Sequence, residues 1–148
     1  MRDRAKELSK NCLLFDEFIM KEVAEGNISS DDFKDLQGEI YLHGHCHQKS
    51  LIGVGKCAEM LRLIPGVKVN VITSGCCGMA GSFGYEKEHH ETSLAIGEMV
   101  LFPTVRKATS EKKNVIVAAP GTSCRQQILD GTGIKALHPI EIMYNCLK

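Results

Sequence analysis

Three short apolar runs limit what this chain can fold into. They are Glu39-Ile40-Tyr41-Leu42-His43, Val67-Lys68-Val69-Asn70-Val71-Ile72 and Asn114-Val115-Ile116-Val117-Ala118-Ala119. Each has the bulk and β-branching of a strand, and helix-length segments separate them. Strands alternating with helices imply crossover connections and a parallel sheet covered on both faces. The expected architecture is a single three-layer α/β domain with a mostly parallel sheet of about four strands. Lys135 to His138 would supply the fourth strand. With 148 residues the chain has the length of one ordinary domain. Residues 1–37 read as an N-terminal helix and linker, and 38–148 as the α/β domain.

The helical segments follow from apolar spacing. Leu8, Cys12, Phe15, Ile19 and Val23 predict one helix over about 4–24, stopped by Gly26-Asn27. A second amphipathic helix carries Leu51, Val54, Ala58 and Leu61 and ends at Pro65-Gly66. A long helical stretch near 86–108 must be kinked or divided by Pro103. Further helices are expected near 123–130 and from Pro139. Cys12, Cys57 and Cys146 fall on apolar helical faces and read as plain core thiols. Gly53-Val54-Gly55 lies within a helical pattern and makes a poor phosphate loop.

Eighteen basic residues balance eighteen acidic ones, so no broad electrostatic footprint for nucleic acid or an anionic membrane is present. No stretch reaches the roughly eighteen apolar residues a membrane span requires, and residues 1–25 carry charges throughout, so neither a transmembrane segment nor a leader is expected. Seven cysteines in such a chain point to the reducing cytoplasm, where clustered thiols bind metal or do redox chemistry. The odd count also weakens a fully paired disulfide framework.

Cys46, Cys76, Cys77 and Cys124 each lie just beyond the carboxyl end of an expected strand. In an open parallel sheet those ends share one edge, where ligand sites form. Four thiols gathered there suit a soft metal centre, either an iron–sulfur cluster or zinc. Gly78, between Gly75 and Gly81, lets the backbone pass close to a bulky centre. Lys49 and Arg125 stand near these cysteines and would balance a negative cluster. His43, His45 and His47 alternate, a pattern that suits either a zinc site or service to the strand and its turn. His138 could line the same edge. His89-His90, among Glu86, Glu88 and Glu91, reads as charged surface. Two rivals remain open: a zinc-bound structural or docking module, and a thiol–disulfide redox protein with one low-pKa cysteine.

His43-Gly44-His45-Cys46-His47-Gln48-Lys49, Ser74-Gly75-Cys76-Cys77-Gly78-Met79-Ala80-Gly81-Ser82-Phe83-Gly84-Tyr85-Glu86, Ala119-Pro120-Gly121-Thr122-Ser123-Cys124-Arg125 and Leu137-His138-Pro139 occur in this order. Together they resemble the cysteine-rich CCG domain over about residues 38–144. That domain occurs in heterodisulfide reductase B subunits, anaerobic glycerol-3-phosphate dehydrogenase C subunits and glycolate or lactate oxidase iron–sulfur subunits. The chain is most similar to the C-terminal end of FAD-linked D-2-hydroxy-acid dehydrogenases acting on D-lactate or D-2-hydroxyglutarate.

The resemblance implies an electron-transfer role, with Cys46, Cys76, Cys77 and Cys124 as ligands of an iron–sulfur cluster. His43, His45, His47, Lys49, Gly78, Arg125 and His138 would surround it. The heterodisulfide-reductase pattern ends in Cys-x-x-Cys, whereas Gln127 stands at that last position here. Four ligands then imply an ordinary [4Fe–4S] cluster, with zinc as the alternative. FAD is expected on a flavin-containing domain or subunit elsewhere, with ferredoxin-like partners and quinone or another electron acceptor. The related proteins usually carry two CCG motifs and this chain carries one, so it reads as a C-terminal part or a split subunit, not catalytic alone. Its expected place is the cytoplasm, or the inner face of the membrane through partners.

Overall fold

The computed structural model describes residues 2–148. Its three strands are β1 (Gly38–Leu42), β2 (Val67–Val71) and β3 (Val115–Ala118). They form a parallel sheet in the order β2-β1-β3. In this register Ile40 of the central strand lies between Val69 and Ile116. Because successive strand side chains point to opposite faces, the sheet separates two cores. Ile40, Leu42 and Val69 join α4 (Gly55–Leu61) and α8 (Pro139–Asn145) in one. Tyr41 and Val117 join α6 (Leu101–Glu111) and α7 (Thr122–Thr132) in the other.

The strand order creates a crevice. After β1 the chain passes through α3 (Cys46–Leu51) and α4 to β2. It then crosses by α5 (His90–Met99) and α6 to β3, on the far side of β1. Neighbouring β1 and β3 therefore send their following helices to opposite faces. Such a reversal leaves an opening at the carboxyl ends of the two strands, where open α/β sheets bind ligands.

The expected fourth strand shrinks to one residue. Leu137 makes a single parallel bridge to Ala118. Its N–H donates to the Val117 carbonyl at 2.9 Å, and its carbonyl accepts from the Ala119 N–H at 2.9 Å. Pro139 follows two residues later and opens α8, so the chain leaves the sheet before a ladder can extend.

Three expected helices are each interrupted. The stretch 4–24 divides into α1 (Arg2–Ser9), which has no buried residue, and α2 (Phe15–Ala24). The sequence of α1 is largely charged and offers no continuous apolar stripe to bury. Cys12 lies in the break and is exposed, so it is not a core thiol, whereas Cys57 and Cys146 are buried. Glu17 caps α2 by accepting the Leu14 N–H at 3.1 Å. Gly53, at a left-handed φ of 76°, separates α3 from α4 and leaves Leu51 77 % exposed. The third break falls at Val100, between α5 and α6. Pro103 lies in the first turn of α6, where a missing N–H costs no helical bond. Among the described residues no helix is long and apolar enough to cross a membrane.

Candidate metal centre

The carboxyl ends of all three strands feed one cluster of sulfur and nitrogen. His43 directly follows β1, and its backbone N–H donates to the Ala118 carbonyl at 2.8 Å. Cys46 opens α3, Cys76 and Cys77 occupy the loop after β2, and Cys124 lies in the first turn of α7. The ligand atoms of His43, Cys77 and Cys124 all lie within 4.8 Å of one another, and all three residues are buried. Cys46 and Cys76, both partly exposed, lie beside this trio, near enough to help raise the Cys124 pKa. The expected quartet is thus brought to one edge, Cys77 and Cys124 in a buried trio with His43, and Cys46 and Cys76 as an outer pair.

The loop after β2 is held in place from two sides. Gly78 has φ 105°, and a Cβ there would strike the Ser93 carbonyl. Only glycine accepts that backbone and that approach. Its N–H donates to the Cys76 Sγ at 3.3 Å. Lys49 reaches from α3 to donate to the Ser74 and Gly75 carbonyls at 2.7 and 2.9 Å. Arg125 braces the loop after β3 in the same way, donating to the Ala119 and Pro120 carbonyls at 2.9 Å each. The two cations therefore brace the backbone around the sulfurs.

The thiols do not titrate alike. A hydrogen bond from Cys124, aided by His43 and the Met79 N–H, holds Cys77 well below the usual thiol range. Cys124, paired with Cys77 and buried, is pushed up and keeps its proton. Cys46 is pushed up by burial and by Cys76, with Lys49 opposing. One thiolate thus forms readily, and further ionisation is held back by the crowding of like charges. A bound cation removes that obstacle, because thiolate is the ligating form.

The donor set also passes a test of fit. The His43 Nδ1 engages the Ser74 Oγ at 2.8 Å, while its buried Nε2 has no hydrogen-bond partner. Buried polar atoms are rarely left so, and an orphaned imidazole nitrogen among thiols suits a soft metal. His45, His47 and His138 stand elsewhere, around an adjoining cleft of about 600 Å³. His45 packs against Gly121 at its sulfur-facing end. His138 caps α8, its Nδ1 accepting the Ile140 N–H at 3.2 Å, and burial lowers its pKa. His89 stacks on Phe83 and pairs with Glu86, as a surface residue does.

Two supporting roles escaped sequence reading. Ser74 orients His43, and a serine ahead of a cysteine pair carries no signal of that. Gln127, noted only as a missing cysteine, is buried and donates to the Ser93 carbonyl and Oγ at 3.1 and 2.9 Å. It thereby fixes the α5 residue that packs on Gly78.

The chain is similar to parts of two kinds of dehydrogenase. It is 33 % identical over 114 residues to the anaerobic glycerol-3-phosphate dehydrogenase C subunit of Escherichia coli K12, covering 77 % of this chain and 28 % of that protein. It is 29 % identical over 139 residues to the D-2-hydroxyglutarate dehydrogenase of the same organism, covering 90 % of this chain and 13 % of the relative. The D-2-hydroxyglutarate dehydrogenase of Pseudomonas putida is 33 % identical over 107 residues, covering 72 % of this chain and 10 % of the relative. The chain therefore spans less than a third of each of these curated relatives. No protein-family model matches it, and no solved structure matches significantly.

Proposed function

We propose that this chain is an electron-transfer module, of the cysteine-rich CCG type, within a flavin-linked dehydrogenase of 2-hydroxy acids or a related alcohol substrate. D-2-hydroxyglutarate, D-lactate and glycolate are the proposed substrates. The observation that carries the reading is the gathering of Cys46, Cys76, Cys77 and Cys124 from three separate strand ends to one sheet edge. The likeness to two dehydrogenases, each much longer than this chain, supports it.

In this reading the four cysteines hold an iron–sulfur cluster, [4Fe–4S] in type. When bound, that group supplies a one-electron carrier between donor and acceptor. The chain's own residues position the sulfurs, exclude water from Cys77 and Cys124, and brace the loops through Lys49 and Arg125. Oxidation at the substrate carbon belongs to a flavin-bearing domain or subunit, with ferredoxin-like partners between and quinone among the candidate acceptors.

One observation favours a second reading, a zinc-bound structural or docking module. A single tetrahedral zinc ion with Zn–S near 2.3 Å sets its sulfurs about 3.8 Å apart. The compact His43–Cys77–Cys124 trio is close to that scale.

Anaerobic purification followed by iron, sulfide and zinc analysis, with visible and EPR spectra, tests both. The cluster reading expects a brown protein containing iron and sulfide. A colourless protein with one equivalent of zinc establishes the second reading instead. Cys124→Ser should deplete the metal and Cys146→Ser should leave it in place. If both variants bind metal as well as the parent, the ligand assignment is wrong.

A further inference from the structure

We propose that His43 is itself a direct donor to the bound metal, alongside Cys77 and Cys124, and not only a neighbour of the sulfurs. The proposal rests on the metal-centre reading above and deepens it.

The geometry begins with the backbone. His43 is fully buried at the end of the central strand, and its N–H is fixed to the Ala118 carbonyl. Little freedom remains for the ring, whose Nδ1 meets the Ser74 Oγ at 2.8 Å. With the Nδ1–H donated to Ser74, the neutral ring presents the lone pair of Nε2. This is the arrangement metal-bound histidines use, with one nitrogen on the ion and the other held by an outer partner. Nε2 is sealed from solvent and lacks a hydrogen-bond partner. A ring nitrogen of His43 lies within 4.8 Å of the ligand atoms of both Cys77 and Cys124.

The five donors also differ in setting. His43, Cys77 and Cys124 are all at least 98 % buried, whereas Cys46 and Cys76 are partly exposed. A cubane or a tetrahedral zinc takes four protein donors, so His43 would stand in place of Cys46 or Cys76. A neutral imidazole there makes the centre less negative by one charge. Coordination by Cys124 releases its thiol proton to solvent, and coordination by neutral His43 releases none. Among iron–sulfur centres, histidine ligation goes with a higher reduction potential.

The competing arrangement has Nε2–H donating to a ligated sulfur. The two are separated by labelling all histidines with ¹⁵N and purifying the whole chain anaerobically. If iron is found, pulsed EPR of the reduced protein should show ¹⁵N coupling of the strength of a directly bound nitrogen. If zinc is found, X-ray absorption should show one nitrogen at about 2.0–2.1 Å beside sulfurs at about 2.3 Å. His45→Gln and His47→Gln, which alter rings lining the open cleft, should leave that signal intact. His43→Cys should retain metal in an all-sulfur shell and lose the nitrogen.

Metal with only sulfur neighbours in the unaltered protein overturns the role of His43 and leaves the cysteine assignment standing. A nitrogen signal that vanishes in His45→Gln or His47→Gln also overturns it. Protein that binds no metal under any of these conditions sinks the metal-centre reading itself, and this proposal with it. The measurement on the unaltered protein decides direct ligation even if His43→Cys fails to fold.

Discussion

Cys57 and Cys77 are equally sealed from solvent, at 2 % exposure each, yet their surroundings drive them apart. Around Cys57 burial dominates, and its pKa is pushed up to about 12. Around Cys77 the hydrogen bond from Cys124 outweighs burial and holds the pKa down. Cys57 keeps its proton when folded and gives it up near pH 8.5 when unfolded. Its contribution to stability is therefore complete below that pH and is lost as pH rises towards 12. Unfolding free energies from urea titrations at pH 8 to 10 should fall, by at most about 1.4 kcal/mol per pH unit from this residue. Cys57→Ala should flatten the slope but not abolish it, because Cys46, Cys124 and Cys146 are shifted in the same direction. An identical slope in the variant would remove Cys57 as a cause. The four central cysteines were legible in the sequence because small residues flank them after apolar runs. His43 was only half legible, since a histidine ending a strand looks the same whether it packs, hydrogen-bonds or ligates.

At the scale of elements, strand runs were easier to read than helix breaks. Ile40, Val69 and Val117 sit in strands because β-branched and bulky side chains fill a surface buried on both sides. The break at Val100 has no comparable signal, and Pro103 drew attention to a position three residues too late. What holds α5, α6 and α7 together is the Phe102 ring, which fills space left by two absent side chains. A Cβ at Gly97 of α5 or at Gly131 of α7 would collide with it. Neither glycine has the positive φ that would announce it, so their role is purely a matter of room. Gly97→Ala should therefore destabilise the protein by about 1–3 kcal/mol despite its better helix propensity. Phe102→Leu combined with Gly97→Ala should cost less than the sum of the two single changes. Additive urea-denaturation values would mean that the ring and the glycine do not compete for space.

On the scale of the whole molecule, the sulfurs link segments far apart along the chain. Cys46 belongs to the connection after the central strand, and Cys76, Cys77 and Cys124 to those after its two neighbours. A metal held by all of them binds the folded form and not the open chain, so loading and stability are coupled. At a free metal concentration 1,000-fold above Kd the linkage amounts to about 4 kcal/mol, or roughly 10 °C in a domain of this length. Calorimetry before and after anaerobic chelation should show a drop of that order in the parent and in Cys146→Ser. Cys124→Ser should show almost none, and equal midpoints for loaded and stripped parent protein would contradict the coupling. The β2-β1-β3 order adds a consequence for biogenesis. These sulfurs become neighbours only after both crossovers have closed on their proper sides of the sheet. A misthreaded chain offers no complete grip, so a metal held by all four sulfurs would single out the correctly threaded fold.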